Sequence, residues 1–187
     1  MIGERSPGWE YLHFTDNDVI QFFMDNPLTE FPGVIAKFFS FNYGSHRADL
    51  FRYYYLYVKG GVYFDTDAMI EYSLDNILDD SDFFSVNSSY FPGTIFQGFI
   101  GCVPGNVVMY EALRDIYFID NKELLMNFHA LCKNLFTITN DCQAKCQIKL
   151  FEEVYGNDTD AHVIDTSRDN KLVLIHYHIN KIIPPNP

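Results

Sequence analysis

Residues 48–70, ADLFRYYYLYVKGGVYFDTDAMI, decide how the chain is read. Ala48 to Lys59 holds no Gly or Pro and mixes Leu, Phe, Tyr and Val with a few charges, which predicts a buried helix. Gly60 and Gly61 stop it, because a Gly just past a helix accepts the positive φ that closes the last turn. Lys59 suits the negative end of the helix dipole. Val62, Tyr63 and Phe64 then form a short β-prone run that ends in Asp65-Thr66-Asp67. In open α/β sheets the carboxyl end of a strand is where ligands bind. If the backbone stays extended, Asp65 and Asp67 share a face, and close like charges call for a cation between them. Oxygen ligands favour Mg or Mn, with positions left open for the oxygens of a diphosphate. Taken alone, a D-x-D in an acidic protein is more often a solvated turn; a helix, a Gly-Gly stop and an aromatic strand ahead of it make a far more demanding pattern.

That pattern resembles the core signature of the D-x-D glycosyltransferases, above all glycosyltransferase family 32. Ala48-Asp49, Arg52-Tyr53, Leu56-Tyr57, Gly60-Gly61-Val62-Tyr63 and Asp65-x-Asp67 fall on it position by position. Weaker similarity runs from Gly8-Trp9-Glu10-Tyr11 to Leu74–Leu78 and on to Gly101–Asn106. The resemblance implies an α/β fold: one GT-A-type nucleotide-sugar-binding domain, with a mixed, mostly parallel sheet flanked by helices. Family members carry an initial strand and helix ahead of the segment that corresponds to Trp9, and nothing before Trp9 supplies that strand here. The implied reaction is metal-dependent transfer of a sugar from a nucleotide-diphosphate donor to a hydroxyl of a glycan or protein, with retention. A UDP-sugar is the favoured donor and GDP-mannose the alternative, and Mn2+ (or Mg2+) is the cofactor.

By the same resemblance Asp49 hydrogen-bonds the donor sugar hydroxyls, and Arg52 lies near the sugar and diphosphate. Asp49, Arg52 and Asp67 form the catalytic set, while Asp49, Arg52, Asp65 and Gln97 bind substrate. Asp65 and Asp67 hold the metal, with His176 as third ligand and His178 as the alternative. From the residues alone, Asp49 and Arg52 at i and i+3 also read as an intrahelical ion pair. A strand His is more often structural than ligating.

Working outward, 187 residues suit a single domain over 1–187, with a catalytic core at 8–118 and a helical and C-terminal metal- and acceptor-side segment at 119–187. The formal charge of -12 argues against a nucleic-acid partner, which needs clustered Lys and Arg. No apolar run has the length of a membrane span and no signal peptide opens the chain, so the expectation is a soluble cytoplasmic protein. Cys102, Cys132, Cys142 and Cys146 read as free thiols.

In order, the pattern predicts a strand at Trp9 to Phe14, then a helix capped by Thr15 or Asp16. Strands follow at Phe83 to Asn87 and within Thr94 to Val103, and a helix runs from about Asn106 to Tyr117. Two more helices are expected near Glu123 to Asn134 and Asp141 to Tyr155, before a last strand from Leu172 that leads into His176-Tyr177-His178. Two rival readings exist. A haloacid-dehalogenase-type phosphatase also has a strand ending in D-x-D, but needs Thr or Val where Met69 stands. The other is a non-catalytic nucleotide- or carbohydrate-binding module derived from a transferase.

Overall fold

The structure, a computed structural model, describes residues 2–78, 80–156 and 160–177. The helices are α1 (Ile2–Arg5), α2 (Asp16–Asp25), α3 (Val34–Ser40), α4 (Gly44–Lys59), α5 (Leu74–Ile77), α6 (Val107–Phe118), α7 (Asn121–Met126) and α8 (Ala130–Cys142). The strands are β1 (Gly61–Phe64), β2 (Ala68–Ile70), β3 (Phe83–Asn87), β4 (Ile95–Cys102), β5 (Ile148–Tyr155), β6 (Asp160–Asp165) and β7 (Lys171–Tyr177). They form one mixed sheet in the order β1-β4-β3-β5-β6-β7-β2.

That sheet is mostly antiparallel, which corrects the expectation of a mostly parallel one. Only β3 and β5 pair in parallel; the other neighbours are antiparallel. The reason lies in connection length, because a parallel pair needs a crossover of a dozen or more residues. Between β4 and β5 the chain has room for α6, α7 and α8, but β6 starts five residues after the end of β5 and β7 six after the end of β6.

The sheet also has to curl. β1 and β2 lie at opposite edges, yet only Asp65, Thr66 and Asp67 separate them. Seven flat strands would hold the edges roughly 29 Å apart at ~4.8 Å per step, while the chain from Phe64 to Ala68 reaches at most about 14 Å. Bringing the edges together leaves two cores. Outside, Phe83, Ile95 and Ile100 pack beneath the helices with Phe23, Phe38, Leu50, Tyr54, Leu113 and Leu131. Inside, Phe84, Phe99, Phe151, Val163, Val173 and Leu174 meet under Leu74 and Ile77 of α5. Phe83 against Phe84, and Phe99 against Ile100, show the two-residue period dividing the faces.

Three local expectations change. Trp9 to Phe14 is irregular rather than a strand: no neighbouring strand pairs with it, Tyr11 and Leu12 are exposed, and Trp9 Nε1 donates to Asp75 Oδ1 beside α5 at 2.8 Å. Among the described residues no strand precedes Gly61. The helix expected near Asp141 to Tyr155 is instead the end of α8 followed by β5, whose charges find partners across strands: Lys149 with Asp165 at 2.8 Å, Glu152 with Asn87 and Glu153 with Ser88. Those partners are distant in sequence, so tertiary pairing overrides the local helical spacing. The helix expected near Glu123 to Asn134 is split into α7 and α8.

Other local expectations match. Thr15 caps α2 through a reciprocal box with Asp18. Asn106 caps α6, and the four cysteines are free thiols. No helix among the described residues is long and apolar enough to cross a membrane.

Candidate functional site

α4 is the buried centre of the outer layer, with Leu50, Tyr53, Tyr54 and Leu56 each at most 2% exposed. It starts a turn earlier than the sequence suggested and ends at Gly60, whose φ is +68°. A Cβ at Gly60 would stand 2.8 Å from the Cys102 carbonyl oxygen and from the Pro104 nitrogen. This position therefore needs both the backbone freedom and the small size of glycine. The tight exit drops the chain directly into β1, against β4.

On the face of α4 turned toward β4, Arg52 Nη2 donates to Asp49 Oδ1 at 2.6 Å, and Nη1 donates to the Gln97 carbonyl. Arg52 Nη1 also lies 3.9 Å from Asp65 Oδ1, and the guanidinium stacks over the Tyr63 ring at 4.3 Å. Tyr63 Oη donates to the same Asp65 oxygen at 2.8 Å. The motif aspartate is thus tied to the helix by one arginine and one phenol. Asp49 and Arg52 are each 7% exposed. Burial pushes the Asp49 carboxyl upward, against the pull of Arg52 and then His46. Burial works against the Arg52 charge too, yet Asp49, then Tyr63 and Asp65, hold its pKa above the ordinary value. Burial likewise raises the Tyr63 phenol.

Gln97 sits inside this frame. Its Oε1 accepts from Tyr53 Oη at 2.6 Å, and its Nε2 donates to Cys132 Sγ at 3.4 Å. Next to it, Gly98 makes room for the motif: a Cβ there would stand 2.6 Å from Asp65 Oδ2. The Gly98 carbonyl accepts from the Asp65 amide at 2.9 Å.

Asp65-Thr66-Asp67 is not extended. The Ala68 amide donates to the Asp65 carbonyl at 3.1 Å, which closes a turn. The two carboxylates therefore do not stand side by side as an extended strand would place them. Asp65 faces Arg52 and Tyr63, whereas Asp67 Oδ2 lies 3.5 Å from His176 Nε2. The Asp67 carbonyl accepts from the Tyr177 amide at 2.9 Å, so the turn bridges β4 on one side and β7 on the other. His176 lies against the Phe96 ring at 4.6 Å, spanning the same gap.

The structure brings together Asp49, Arg52, Asp65 and Gln97 on one side of the turn, and Asp67 with His176 on the other. His178 lies outside the described residues. No group of three His, Cys, Asp or Glu side chains among the described residues converges as a metal cluster. The donor set nevertheless suits a hard divalent cation: two carboxylates from one turn and an imidazole beside the second. Sequence reasoning missed Tyr53, Tyr63, Gly98 and Cys132 as parts of the frame. The first two are themselves residues of the signature and Gly98 follows Gln97, but nothing local marks Cys132.

Residues 2–84 match the family described as the glycosyltransferase sugar-binding region containing the DXD motif. Among curated proteins the chain is similar to inositol phosphoceramide mannosyltransferase 3 of Schizosaccharomyces pombe, at 28% identity over 110 residues. That match covers 59% of this chain and 29% of the relative. It is also similar to mannosyl phosphorylinositol ceramide synthase SUR1 of Saccharomyces cerevisiae, at 30% identity over 114 residues, covering 61% of this chain and 28% of the relative. Inositol phosphoceramide mannosyltransferase 1 of Schizosaccharomyces pombe is 25% identical over 109 residues, covering 58% of this chain and 32% of the relative. The chain thus spans about three-tenths of the length of these relatives. No solved structure is found to match it. Residues 2–84, which hold Asp49, Arg52, Asp65 and Asp67, are thus similar to the sugar-binding region of the D-x-D glycosyltransferases.

Proposed function

We propose that the chain is the donor-binding part of a GT-A-type glycosyltransferase that moves a hexose, mannose first among the sugars to test, from a nucleotide diphosphate to a hydroxyl acceptor. The observation that carries this is the Asp49–Arg52–Asp65 chain of contacts, which joins the helix of the signature to the D-T-D turn. Mannose is favoured over the glucose-type donors because the similar proteins are mannosyltransferases, and this brings GDP-mannose level with the UDP-sugars. Their names also make an inositol phosphate headgroup the first acceptor to try.

Asp65 and Asp67, with His176 beside Asp67, would hold a divalent cation. When bound, such a cation neutralises charge on a departing diphosphate. In the reaction the bond from the anomeric carbon to the diphosphate oxygen breaks and its electron pair leaves with the phosphate. The acceptor oxygen bonds to that carbon and gives up its proton to the departing phosphate, with the retention that the resemblance implies. Arg52, fixed by Asp49 and the Gln97 carbonyl, presents positive charge at the donor end of the site. Preorganised charge of this kind is commonly worth several kcal/mol in the transition state. Asp49 accepts hydrogen bonds from the sugar hydroxyls, and Gln97 positions Arg52.

The test is thermal melting with Mn2+ and a panel of UDP, GDP and their sugar conjugates, on the wild type and on Asp67→Ala. The expected result is a Mn2+-dependent rise with one nucleotide that the variant loses, since binding to the native state stabilises by mass action. If no nucleotide moves the melt, with or without Mn2+, the donor-site reading fails and a carbohydrate-binding module becomes the better account.

A further inference from the structure

An exposed run of aromatic rings begins where the buried Asp49–Arg52 frame ends. His46, one turn before Asp49 on α4, lies within hydrogen-bonding distance of the Phe128 carbonyl, 3.3 Å from its Nε2. Its ring sits 5.0 Å from that of Phe128. Phe128 meets Tyr43 at 5.4 Å and His129 at 5.3 Å, both edge to face. His129 in turn stacks on Phe91 at 4.6 Å and 29°. One turn beyond His129 on α8, Cys132 accepts the hydrogen bond from Gln97, which ties the row to the frame from a second side. Phe91, Phe128 and Tyr43 are 53%, 46% and 44% exposed.

Phe91 is held out by construction. Its loop is anchored at the base, where Ser88 Oγ and the Ser89 amide donate to the Glu153 carboxylate at 2.7 and 3.2 Å. Tyr90 packs on Tyr155 at 4.4 Å, so successive rings of the loop go to opposite sides. Contiguous exposed aromatics beside a polar frame mark a place where something binds.

We propose that Phe91, His129 and Phe128 form the acceptor subsite, a platform on which the ring of the acceptor, a pyranose or cyclitol, stacks through its C–H face. This rests on the transferase reading. The order of groups along the site supports it: the D-T-D turn comes first, then Arg52, Asp49, His46 and the aromatic row. With the diphosphate at the turn and the donor sugar at Asp49, the row lies beyond the sugar, on the side from which an acceptor reaches it. The nucleotide base, attached at the other end of the diphosphate, does not extend that way.

The experiment uses GDP-mannose with Mn2+ and varied myo-inositol 1-phosphate, on the wild type, Phe91→Ala and Phe128→Ala, with Phe91→Trp as the conservative partner. A stacked ring predicts about a tenfold rise in acceptor KM for each alanine variant and recovery with Trp, while mannose release from the donor without acceptor stays at the wild-type rate. Unchanged acceptor KM with intact hydrolysis overturns the proposal, and so does a loss of donor hydrolysis in the variants, which would place the rings on the donor side. Saturation-transfer NMR on the same proteins, with myo-inositol 1-phosphate as probe, separates this from the transferase reading. Ring-proton signals in the wild type that vanish in Phe91→Ala support the platform even if no transfer occurs, and their absence in the wild type overturns it.

Discussion

Asp65 stands against a wall in which Asp49, Arg52, Tyr53 and Gln97 are each at most 7% exposed, whereas Asp67 stands against His176, whose side chain is 18% exposed at the end of a hairpin. The first wall is α4, β1 and β4, backed by helices and joined by charge-assisted hydrogen bonds. The second is β5, β6, β7 and β2, wrapped around the inner core. We infer a division of labour from the partners alone, since the Asp65 side chain is itself the more exposed of the two carboxylates, 33% against 15%: the Asp65 wall is fixed by its buried charge pair, and the Asp67 wall is held by weaker contacts. On this inference the site has one rigid and one adjustable half.

The sharpest way to break that comparison is Arg52→Ala. It strands the Asp49 carboxylate in a buried site and leaves the Asp65 carboxylate with the Tyr63 hydroxyl as its described side-chain partner. Removing one member of a buried pair commonly costs about 3–5 kcal/mol. The expected outcome in urea unfolding is a fall of that size together with loss of nucleotide-dependent stabilisation. A loss below about 1 kcal/mol would mean that the first wall is no more rigid than the second.

A second, smaller effect tests whether the other wall has a fixed base below its loose rim. Lys149 on β5 meets Asp165 on β6 at 2.8 Å, and Ser167 supplies two further hydrogen bonds to Asp165. Burial pulls the Asp165 carboxyl upward, but these bonds outweigh it and leave the pKa below the ordinary value. A carboxylate with a lowered folded pKa adds stability above its unfolded value, and that stability is lost as pH falls through the folded one. Asp165→Asn is therefore expected to cost about 2 kcal/mol at neutral pH, with the gap to wild type closing below about pH 4. Parallel melting curves at pH 7 and pH 3.5 check this, and a gap that stays constant with pH would show that the loss is packing rather than charge.

The same contrast explains what could be read from the residues in order. The helix, its glycine stop, the strand and the turn of the first wall succeed one another within residues 44–70, so each local rule applies to neighbours in sequence, and β4 with Gln97 is the part that comes from elsewhere. The pairing of Asp49 with Arg52 follows from helical spacing alone. The second wall depends on distant partners. Lys149 and Glu152 read as helix surface until Asp165 and Asn87 are set beside them, and β6 has no signal of its own strong enough to be seen. Direction of pairing was illegible for a related reason: the family resemblance suggested parallel strands, and the short links before β6 and β7 decided otherwise. The carboxylates, expected on one face, were separated by a turn that needs the Ala68 amide and two different strands to form.

His176→Ala should give the smallest change in the folded protein and the clearest change in ligand response. The imidazole lies against Phe96 in a tilted ring contact and 3.5 Å from Asp67, with its side chain 18% exposed, so its removal takes away these two contacts among others. Partly exposed pairs of this kind contribute under ~1 kcal/mol. In cation-free buffer the melting temperature is expected to move by no more than a few degrees. If the imidazole contributes to holding a cation beside Asp67, the Mn2+ concentration needed for half of the nucleotide-dependent shift rises at least about tenfold. Isothermal titration with Mn2+ and GDP reads the same quantity directly. Should the cation-free melt fall as far as in Arg52→Ala, the second wall is as rigid as the first and the division of labour is wrong. Should the Mn2+ requirement stay unchanged while the melt holds, Asp65 and Asp67 bind the cation without the histidine, and the adjustable half of the site is the turn alone.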